Sequence, residues 1–232
     1  MKQEPEFSKT FIYDISLIFR MDKSKEIEKE FSTWAKDYGK IKYSFWEGDL
    51  SKEHLEAQYE AIRLLQPKKG DNILDIGCGV GWASIKIAIK INPGIAYGID
   101  ITKEMINQSR KHAKKLKIKN IKFQKASVLN LPFKDNFFDG AITTHAAHHF
   151  YKPYKMFGEI KRVLKSNSKF ILVDTCASSR LIQDFEKKLK KEEKAHHKFL
   201  KLSEAKKLLK EIGFRKIKGY RKNHTMYITA VA

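Results

Sequence analysis

The segment from residue 72 to residue 84 constrains the fold more than any other part of this sequence. It reads Asn-Ile-Leu-Asp-Ile-Gly-Cys-Gly-Val-Gly-Trp-Ala-Ser, a short apolar run followed by three glycines at alternate positions. Apolar residues then recur at helical spacing from Ile85 to Ile91, so the pattern predicts a buried strand, a glycine turn and a helix. Glycine tolerates positive φ and lets a ligand approach the backbone, and the helix N-terminus presents N–H donors. The turn is therefore expected to hold a nucleoside-like ligand.

The spacing of the glycines excludes two common phosphate-binding turns. A dinucleotide fingerprint that starts at Gly77 and Gly79 requires a third glycine at position 82, where the chain has Trp82. A P-loop requires Gly-Lys followed by Ser or Thr, and that triplet does not follow these glycines. The turn therefore does not predict a pyrophosphate site.

A carboxylate follows at the distance expected for a ribose contact. Residues 95–100, Ile-Ala-Tyr-Gly-Ile-Asp, predict a second buried strand that ends in Asp100, about 20 residues after the last glycine. In doubly wound sheets an acidic residue at this place accepts hydrogen bonds from ribose hydroxyls. Asp100 is therefore predicted to bind ribose.

Residues 74–81, Leu-Asp-Ile-Gly-Cys-Gly-Val-Gly, resemble the first motif of the class I S-adenosylmethionine-dependent methyltransferases. The resemblance extends from about Phe31 to the C-terminus. It implies that S-adenosyl-L-methionine is the cofactor. It also implies that Asp75 lies near the amino group of the methionine moiety.

Two further segments are similar to the same family. Trp34-Ala-Lys-Asp-Tyr38 resembles an aromatic-Ala-x-x-Tyr pattern that helps to cover the cofactor, although the same stripe would equally pack on a sheet. Residues 127–133, Ser-Val-Leu-Asn-Leu-Pro-Phe, resemble the family's Asp-Ala-x-x-Leu-Pro-Phe segment. Ser127 replaces the aspartate that usually accepts from the adenine amino group. The expected hydrogen bond is therefore neutral and weaker.

The order of the predicted elements indicates the fold class. Strands and helices alternate through the chain, which then ends in a predicted antiparallel hairpin. We expect an α/β fold, a Rossmann-like doubly wound sheet that is mostly parallel, with a C-terminal antiparallel strand and helices on both faces. Residues 1–70 are expected to form an N-terminal helical and aromatic cap segment. Residues 71–232 are expected to form the methyltransferase core, with a helical insertion at about 177–202.

Ligands bind outside the carboxyl ends of the strands in such sheets, so the predicted cofactor contacts follow the strand ends. The family resemblance adds the aromatic residues that cover the cofactor. The residues expected to contact it are Tyr38, Asp75, Gly77, Cys78, Gly79, Gly81, Trp82, Asp100, Ile101, Met105, Ser127, Val128 and Thr144.

Three histidines follow the fourth predicted strand, at positions 145, 148 and 149. Cysteine or carboxylate partners at metal-ligand spacing are missing nearby, so no metal site is predicted. His148-His149 is similar to the Leu-His-His stretch common at this point in the family. A histidine here can deprotonate an acceptor near neutral pH, or it can simply pack. We take His145, His149 and Tyr43 as the candidate catalytic residues.

The formal net charge is +20, from 47 basic and 27 acidic residues. Such a charge attracts anionic partners, among them RNA, an acidic lipid surface or a phosphorylated small molecule. It identifies none of them, because the lysines are spread along the sequence. The two cysteines form no disulfide framework and no apolar run is long enough to span a bilayer, so a cytoplasmic protein is expected.

The leading prediction is a methyltransferase that acts on a small molecule or lipid precursor, because the Leu-Pro-Phe and His-His segments resemble the quinone, sterol and amine methylating branch. An RNA or protein methyltransferase is the alternative that the charge favours. Amino-group methylation of bases typically uses Asn-Pro-Pro-aromatic after the fourth strand, and residues 143–146 read Thr-Thr-His-Ala. A non-catalytic S-adenosylmethionine-binding module is a third alternative, which the intact Asp75 and Asp100 do not favour.

Overall fold

The computed structural model describes residues 23–34, 49–192 and 195–232. Within these ranges the strands are β1 (Asn72–Ile76), β2 (Ile95–Asp100), β3 (Ile121–Lys125), β4 (Phe138–Thr144), β5 (Leu164–Thr175), β6 (Arg215–Lys222) and β7 (Thr225–Val231). The helices are α1 (Ser24–Trp34), α2 (Asp49–Leu65), α3 (Trp82–Ile91), α4 (Lys103–Lys115), α5 (Pro153–Val163), α6 (Arg180–Glu192) and α7 (Leu202–Glu211).

The strands form one sheet in the order β3-β2-β1-β4-β5-β7-β6. Strands β3, β2, β1, β4 and β5 pair in parallel, and β7 pairs antiparallel with both β5 and β6. The predicted Rossmann-like α/β fold, mostly parallel with antiparallel pairing at its C-terminus, is confirmed. Chain order reverses between β1 and β4, and ligand sites open at such a reversal.

The central strands are buried along most of their length because helices cover both faces of the sheet. Residues 73–76 of β1 and 140–144 of β4 are all buried. The same residues pair across the two strands, with Ile76 opposite Thr143. Their carboxyl ends therefore lie side by side at one edge of the sheet.

Helices α2, α3 and α4 cover one face of the sheet. Ala61 of α2 and Ile87 of α3 share a buried cluster with Ile142 of β4. Ile106 of α4 packs in a second cluster with Ile85 of α3. Helices α5 and α7 cover the other face, in a cluster that includes Phe157, Phe170 and Leu209.

Local pairing fixes the start of two elements. Strand β5 starts at Leu164, which pairs with Phe138 at the beginning of β4 before an irregularity in the register. Helix α7 starts at Leu202. The N–H of Lys201 donates to the Glu204 carboxylate at 2.9 Å, and this bond fixes the start.

The N-terminal half of the predicted cap segment contributes helix α1, and its last part forms helix α2. Ala57 and Ala61 of α2 are fully buried against the sheet, so this helix is packed as tightly as those that follow it. The division of the chain at residue 70 stays a prediction. None of the helices among the described residues combines the length and apolarity that crossing a bilayer requires.

Helix α3 offers a matched test of this burial pattern. Ile87 is fully buried and Ile89 is 58% exposed, two positions further along the same helix. Ile87→Ala should lower the free energy of unfolding by about 2–5 kcal/mol, because it removes buried methyl groups and leaves a cavity. Ile89→Ala should change it by less than about 0.5 kcal/mol. Urea denaturation of the two variants measures both values, and equal losses would contradict the packing described here.

Candidate active site

A cavity opens where the chain order reverses, at the carboxyl ends of β1, β2 and β4, and its empty volume is ≈ 710 Å³ when the space open to solvent is included. Its lining includes seven of the predicted cofactor residues and two of the predicted catalytic ones. These are Gly77, Gly79, Asp100, Ile101, Met105, Ser127, Val128, His145 and His149.

The glycine turn needs glycine for two different reasons. Gly77, Gly79 and Gly81 all have positive φ, at 69°, 51° and 86°. A Cβ on Gly77 would lie 2.5 Å from the Cβ of Ala146, on the cavity side of the turn. A Cβ on Gly81 would instead lie 2.7 Å from the Phe123 ring, in the packing between α3 and β3. Gly77 therefore keeps the cavity wall free of side chains, and Gly81 allows close packing.

The Asp100 carboxylate ties the end of β2 to this turn. One oxygen accepts the Gly79 N–H and the other accepts the Thr102 N–H, each at 2.9 Å. Burial raises the pKa of Asp100, and these two backbone hydrogen bonds oppose that rise. Each carboxylate oxygen has a second lone pair, so Asp100 can still accept from hydroxyls of a ligand in the cavity.

Asp75 lies at the end of β1, beneath the turn, and is not part of the cavity lining. Its carboxylate is 2% exposed and accepts a hydrogen bond from the Ser84 hydroxyl at 2.5 Å. Burial raises the pKa of Asp75 to about 6, and the hydrogen bond from Ser84 opposes the rise. The carboxylate is therefore held in place by α3, at the base of the predicted methionine subsite.

Four other predicted cofactor residues lie outside the cavity lining, namely Gly81, whose packing is described above, and Cys78, Trp82 and Thr144. Cys78 faces the apolar cluster of Ile85 and Phe123, and burial raises the pKa of its thiol well above the usual value. Trp82 lies on the outer side of α3, where it stacks on His112 with 5.3 Å between ring centroids. Thr144 is buried at the end of β4.

Tyr38 and Tyr43 lie outside the described residues. Ser127, which stands where the family usually has aspartate, lines the cavity. Its hydroxyl oxygen accepts the Leu129 N–H at 3.3 Å and its proton can be donated to a ligand.

Helix α1 supplies cavity residues that the sequence did not assign. Ser24, Ile27 and Phe31 line the cavity from this helix. Ile27 and Phe31 are four residues apart, so their shared face was visible in the sequence, but its target was not. Ser24 lies 3.0 Å from the hydroxyl of Tyr151, a partner 127 residues away that no local pattern indicates.

The histidines after β4 are organised by a buried carboxylate. Asp174, at the end of β5, accepts the His148 backbone N–H at 2.9 Å and lies 2.8 Å from the His148 Nδ1. Burial alone would raise the pKa of Asp174, but the charge and hydrogen bond of His148 outweigh it and hold the pKa at about 2. His149 lies beside His148, and burial lowers the pKa of its ring well below the usual value.

A short segment after α6 covers these histidines. The N–H groups of His197 and Lys198 both donate to the His148 carbonyl, at 2.9 and 3.0 Å. The Nδ1 of His149 lies 3.0 Å from the Ala195 carbonyl. The Ala195 N–H donates to the Glu30 carboxylate of α1 at 2.8 Å. Helix α1 and the predicted insertion are therefore joined directly above the cavity.

Among residues 23–34, 49–192 and 195–232, no group of three or more histidine, cysteine, aspartate or glutamate side chains is arranged to hold a metal ion. The absence of a metal site stays a prediction. His145 lines the cavity at φ 50°, and its backbone N–H donates to the Val173 carbonyl at 2.9 Å. The charge of its ring also contributes to the lowered pKa of Asp174.

A mostly parallel sheet, a glycine turn after β1 and an acidic residue at the end of β2 define a Rossmann-like nucleoside-binding fold. The sequence profile of a family described as "Methyltransferase domain" matches residues 67–225. The chain belongs to this family, and the resemblance to the class I S-adenosylmethionine-dependent methyltransferases is confirmed.

Individual relatives agree with the family. The uncharacterized methyltransferase YcgJ of Bacillus subtilis is 33% identical over 123 residues, which are 53% of this chain and 48% of YcgJ. The YcgJ crystal structure superposes with a TM-score of 0.66 at 27% identity, over 72% of this chain and 71% of that one.

Two further relatives have named activities. The 24-methylenesterol C-methyltransferase 2 of Arabidopsis thaliana is 38% identical over 112 residues, 48% of this chain and 31% of that protein. The demethylmenaquinone methyltransferase of Listeria welshimeri is 30% identical over 125 residues, 53% of each chain. The match thus spans about half the length of YcgJ and of the menaquinone enzyme, and less of the sterol enzyme.

The opposite pKa shifts of two equally buried carboxylates predict opposite effects on stability. The folded-state pKa of Asp75 is raised to about 6, so its ionisation costs stability as pH rises from about 4 to 6. Asp75→Asn removes this cost, and its stability relative to the parent should increase by about 2 kcal/mol between pH 4.5 and pH 7.5.

Asp174 should behave in the reverse sense. Its pKa of about 2 lies below the unfolded value, so it contributes stability above about pH 4 that is lost as pH falls through 2. Asp174→Asn should therefore be less stable than the parent at pH 7.5, with a deficit that shrinks below pH 4. Urea denaturation across this range measures both variants, and parallel pH profiles for the two would contradict the assignment.

Proposed function

We propose that this protein transfers a methyl group from S-adenosyl-L-methionine to a small molecule or lipid precursor. The observation that carries the proposal is the Asp100 carboxylate, fixed at the cavity by the Gly79 and Thr102 N–H groups at the place of a ribose contact. When bound, the cofactor supplies a methyl group on a sulfonium that is already a good leaving group.

The residues present fit this cofactor. Asp100 would accept from the ribose hydroxyls, and Ser127 would hydrogen-bond the adenine edge. The absence of a side chain at Gly77, where a Cβ would meet Ala146, leaves backbone surface for the methionine moiety. Asp75, buried behind the turn, would place negative charge near the ligand's ammonium group. The positive charge of that group would in turn lower the pKa of Asp75.

For the transfer itself, the protein has to align the acceptor and exclude water. Ile27, Phe31, Phe150 and Met156 give the cavity an apolar wall that serves both needs. His145 and His149 are the candidate bases for an acceptor that must lose a proton. The lowered pKa of His149 keeps its ring neutral at pH 7, the state that can accept a proton.

A small and weakly charged acceptor is supported by the lining of the cavity. Among the described lining residues, Asp100 is the one with a carboxylate, and none is lysine or arginine. A phosphate-bearing nucleotide acceptor would meet no cation there. The sterol and menaquinone methyltransferases among the relatives are named for acceptors of the small-molecule kind.

We also propose a cytoplasmic location. Cys78 and Cys176 are free thiols, which supports a reducing compartment.

Replacing Asp100 tests the cofactor assignment. Asp100→Asn removes a charged acceptor but keeps the side-chain shape, and binding of S-adenosylhomocysteine should weaken by roughly 10- to 100-fold. Asp135→Asn, at an exposed carboxylate that pairs with Arg162 away from the cavity, should bind as the parent does. Titration calorimetry measures both, and unchanged affinity in Asp100→Asn would remove the ribose assignment.

A turnover screen tests the reaction. Purified protein should release S-adenosylhomocysteine with a lipid-containing metabolite extract and not with total RNA, and mass spectrometry then locates the new methyl group. Turnover with RNA alone would overturn the small-molecule proposal.

Alanine variants test the base. If His145 or His149 removes a proton, replacing that residue by alanine should lower kcat by roughly 100-fold or more with cofactor affinity retained.

A further inference from the structure

Exposed apolar side chains are concentrated on one side of the molecule. Among the described residues, eight large apolar or aromatic side chains are exposed. Five of them lie on the outer surface of α2 and α3 or at the C-terminal end of α4. Single exposed apolar side chains are ordinary on a protein surface, but a cluster on one face indicates contact with something apolar. The five are Leu55, Tyr59, Trp82, Ile89 and Leu116.

These side chains form a continuous surface. Leu55 and Tyr59 are one turn apart on α2, and both line a shallow groove together with Trp82 of α3. Trp82 and Ile89 are seven residues apart, so they lie on one side of α3. Trp82 stacks on His112 of α4, and Leu116 lies one turn beyond His112. We call this surface the three-helix face.

Lysines lie beside the apolar side chains at two places on the three-helix face, and the two acids next to Leu55 and Tyr59, Glu56 and Glu60, are paired with Lys222 and Arg63. Lys86 lies in the groove, with its ammonium group 5.6 Å from the centre of the Tyr59 ring. Leu116 is flanked by Lys114, Lys115 and Lys117, all exposed. From residue 105 to residue 134 the chain has nine lysine or arginine residues and no aspartate or glutamate. The basic residues are therefore less evenly spread than the overall composition indicates.

We propose that the three-helix face binds the surface of an anionic phospholipid bilayer. Lysines at the rim attract acidic headgroups, and the central aliphatic and aromatic side chains enter the headgroup region. This membrane contact is independent of the methyl-transfer proposal, because its residues lie outside the cavity.

Charge alone would serve RNA equally well, so the apolar side chains decide between the two partners. Three of the five, Leu55, Ile89 and Leu116, are aliphatic. Aliphatic side chains provide no stacking surface for a base. Burial of such side chains in the acyl boundary is favourable instead. A bilayer therefore uses both components of the face, whereas RNA uses the lysines and the aromatic rings alone.

The test is sedimentation of the full chain with vesicles of phosphatidylcholine containing about one third phosphatidylserine, compared with phosphatidylcholine alone. The protein should bind the anionic vesicles and not the neutral ones. The double variant Lys86→Glu/Lys115→Glu should lose roughly 25-fold or more in partitioning, since each lysine near an acidic surface contributes roughly fivefold. Leu116→Ser should lose roughly tenfold with the charge unchanged.

Two matched controls separate the face from general properties of the chain. Lys216→Glu/Lys218→Glu makes the same change in charge on β6, at an edge of the sheet, and should partition as the parent does. Leu181→Ser removes the most exposed leucine of α6 and should likewise have no effect. Thermal unfolding and S-adenosylhomocysteine binding verify that all four variants are folded.

Three outcomes would overturn the proposal. Equal losses in the two charge-reversal variants would mean that vesicle binding follows net charge and not this face. An unchanged Leu116→Ser would mean that no side chain enters the bilayer. Binding of single-stranded RNA that exceeds vesicle binding at the same salt, and that is lost in Lys86→Glu/Lys115→Glu, would assign the face to nucleic acid.

Discussion

The candidate site depends on one part-buried carboxylate that joins two strands. Asp100 ends β2, yet its oxygens accept N–H groups from the turn after β1 and from the start of α4. Because those N–H groups are satisfied within the protein, the turn holds its conformation before any ligand arrives. The strand order supplies the other half of the arrangement, since β1 lies between β2 and β4 and brings their ends to the same cavity. A preorganised wall of this kind lowers the ordering cost of binding a flexible cofactor.

Local sequence patterns predicted the parts of the site that are local in structure. The glycine turn and the acid at the end of β2 depend on short-range strand and turn geometry, so their spacing was enough to place Gly77, Gly79 and Asp100 at the cavity. The direction of side chains inside the turn was not predictable in this way. Cys78 and Trp82 alternate with the glycines, and they face Phe123 and His112 because of packing with β3 and α4.

The long-range contacts of the site could not be predicted from the sequence, for a different reason. Helix α1 forms the roof of the cavity and is held by two long-range hydrogen bonds. Glu30 accepts from Ala195 across 165 residues of chain, and Ser32 donates to Glu104 of α4 across 72 residues. Each contact is one hydrogen bond between residue types that are common on any surface, so no pattern distinguishes it. The spread of lysines along the chain was also misleading, because residues 105–134 carry nine basic residues and no acidic one.

Side chains of helix α1 form hydrogen bonds with residues that come much later in the chain. Ser24 contacts Tyr151, Ser32 contacts Glu104 and Glu30 contacts Ala195. The bond between Glu30 and Ala195 therefore forms only after the segment that follows α6 is in place, so closure of the cavity depends on pairings that are distant in sequence. The same contacts can break without disturbing any strand pairing. Native-state hydrogen exchange would accordingly separate α1 from the sheet as a unit of lower stability, and the roof over the cavity would open in fluctuations that leave Asp100 and the glycine turn intact.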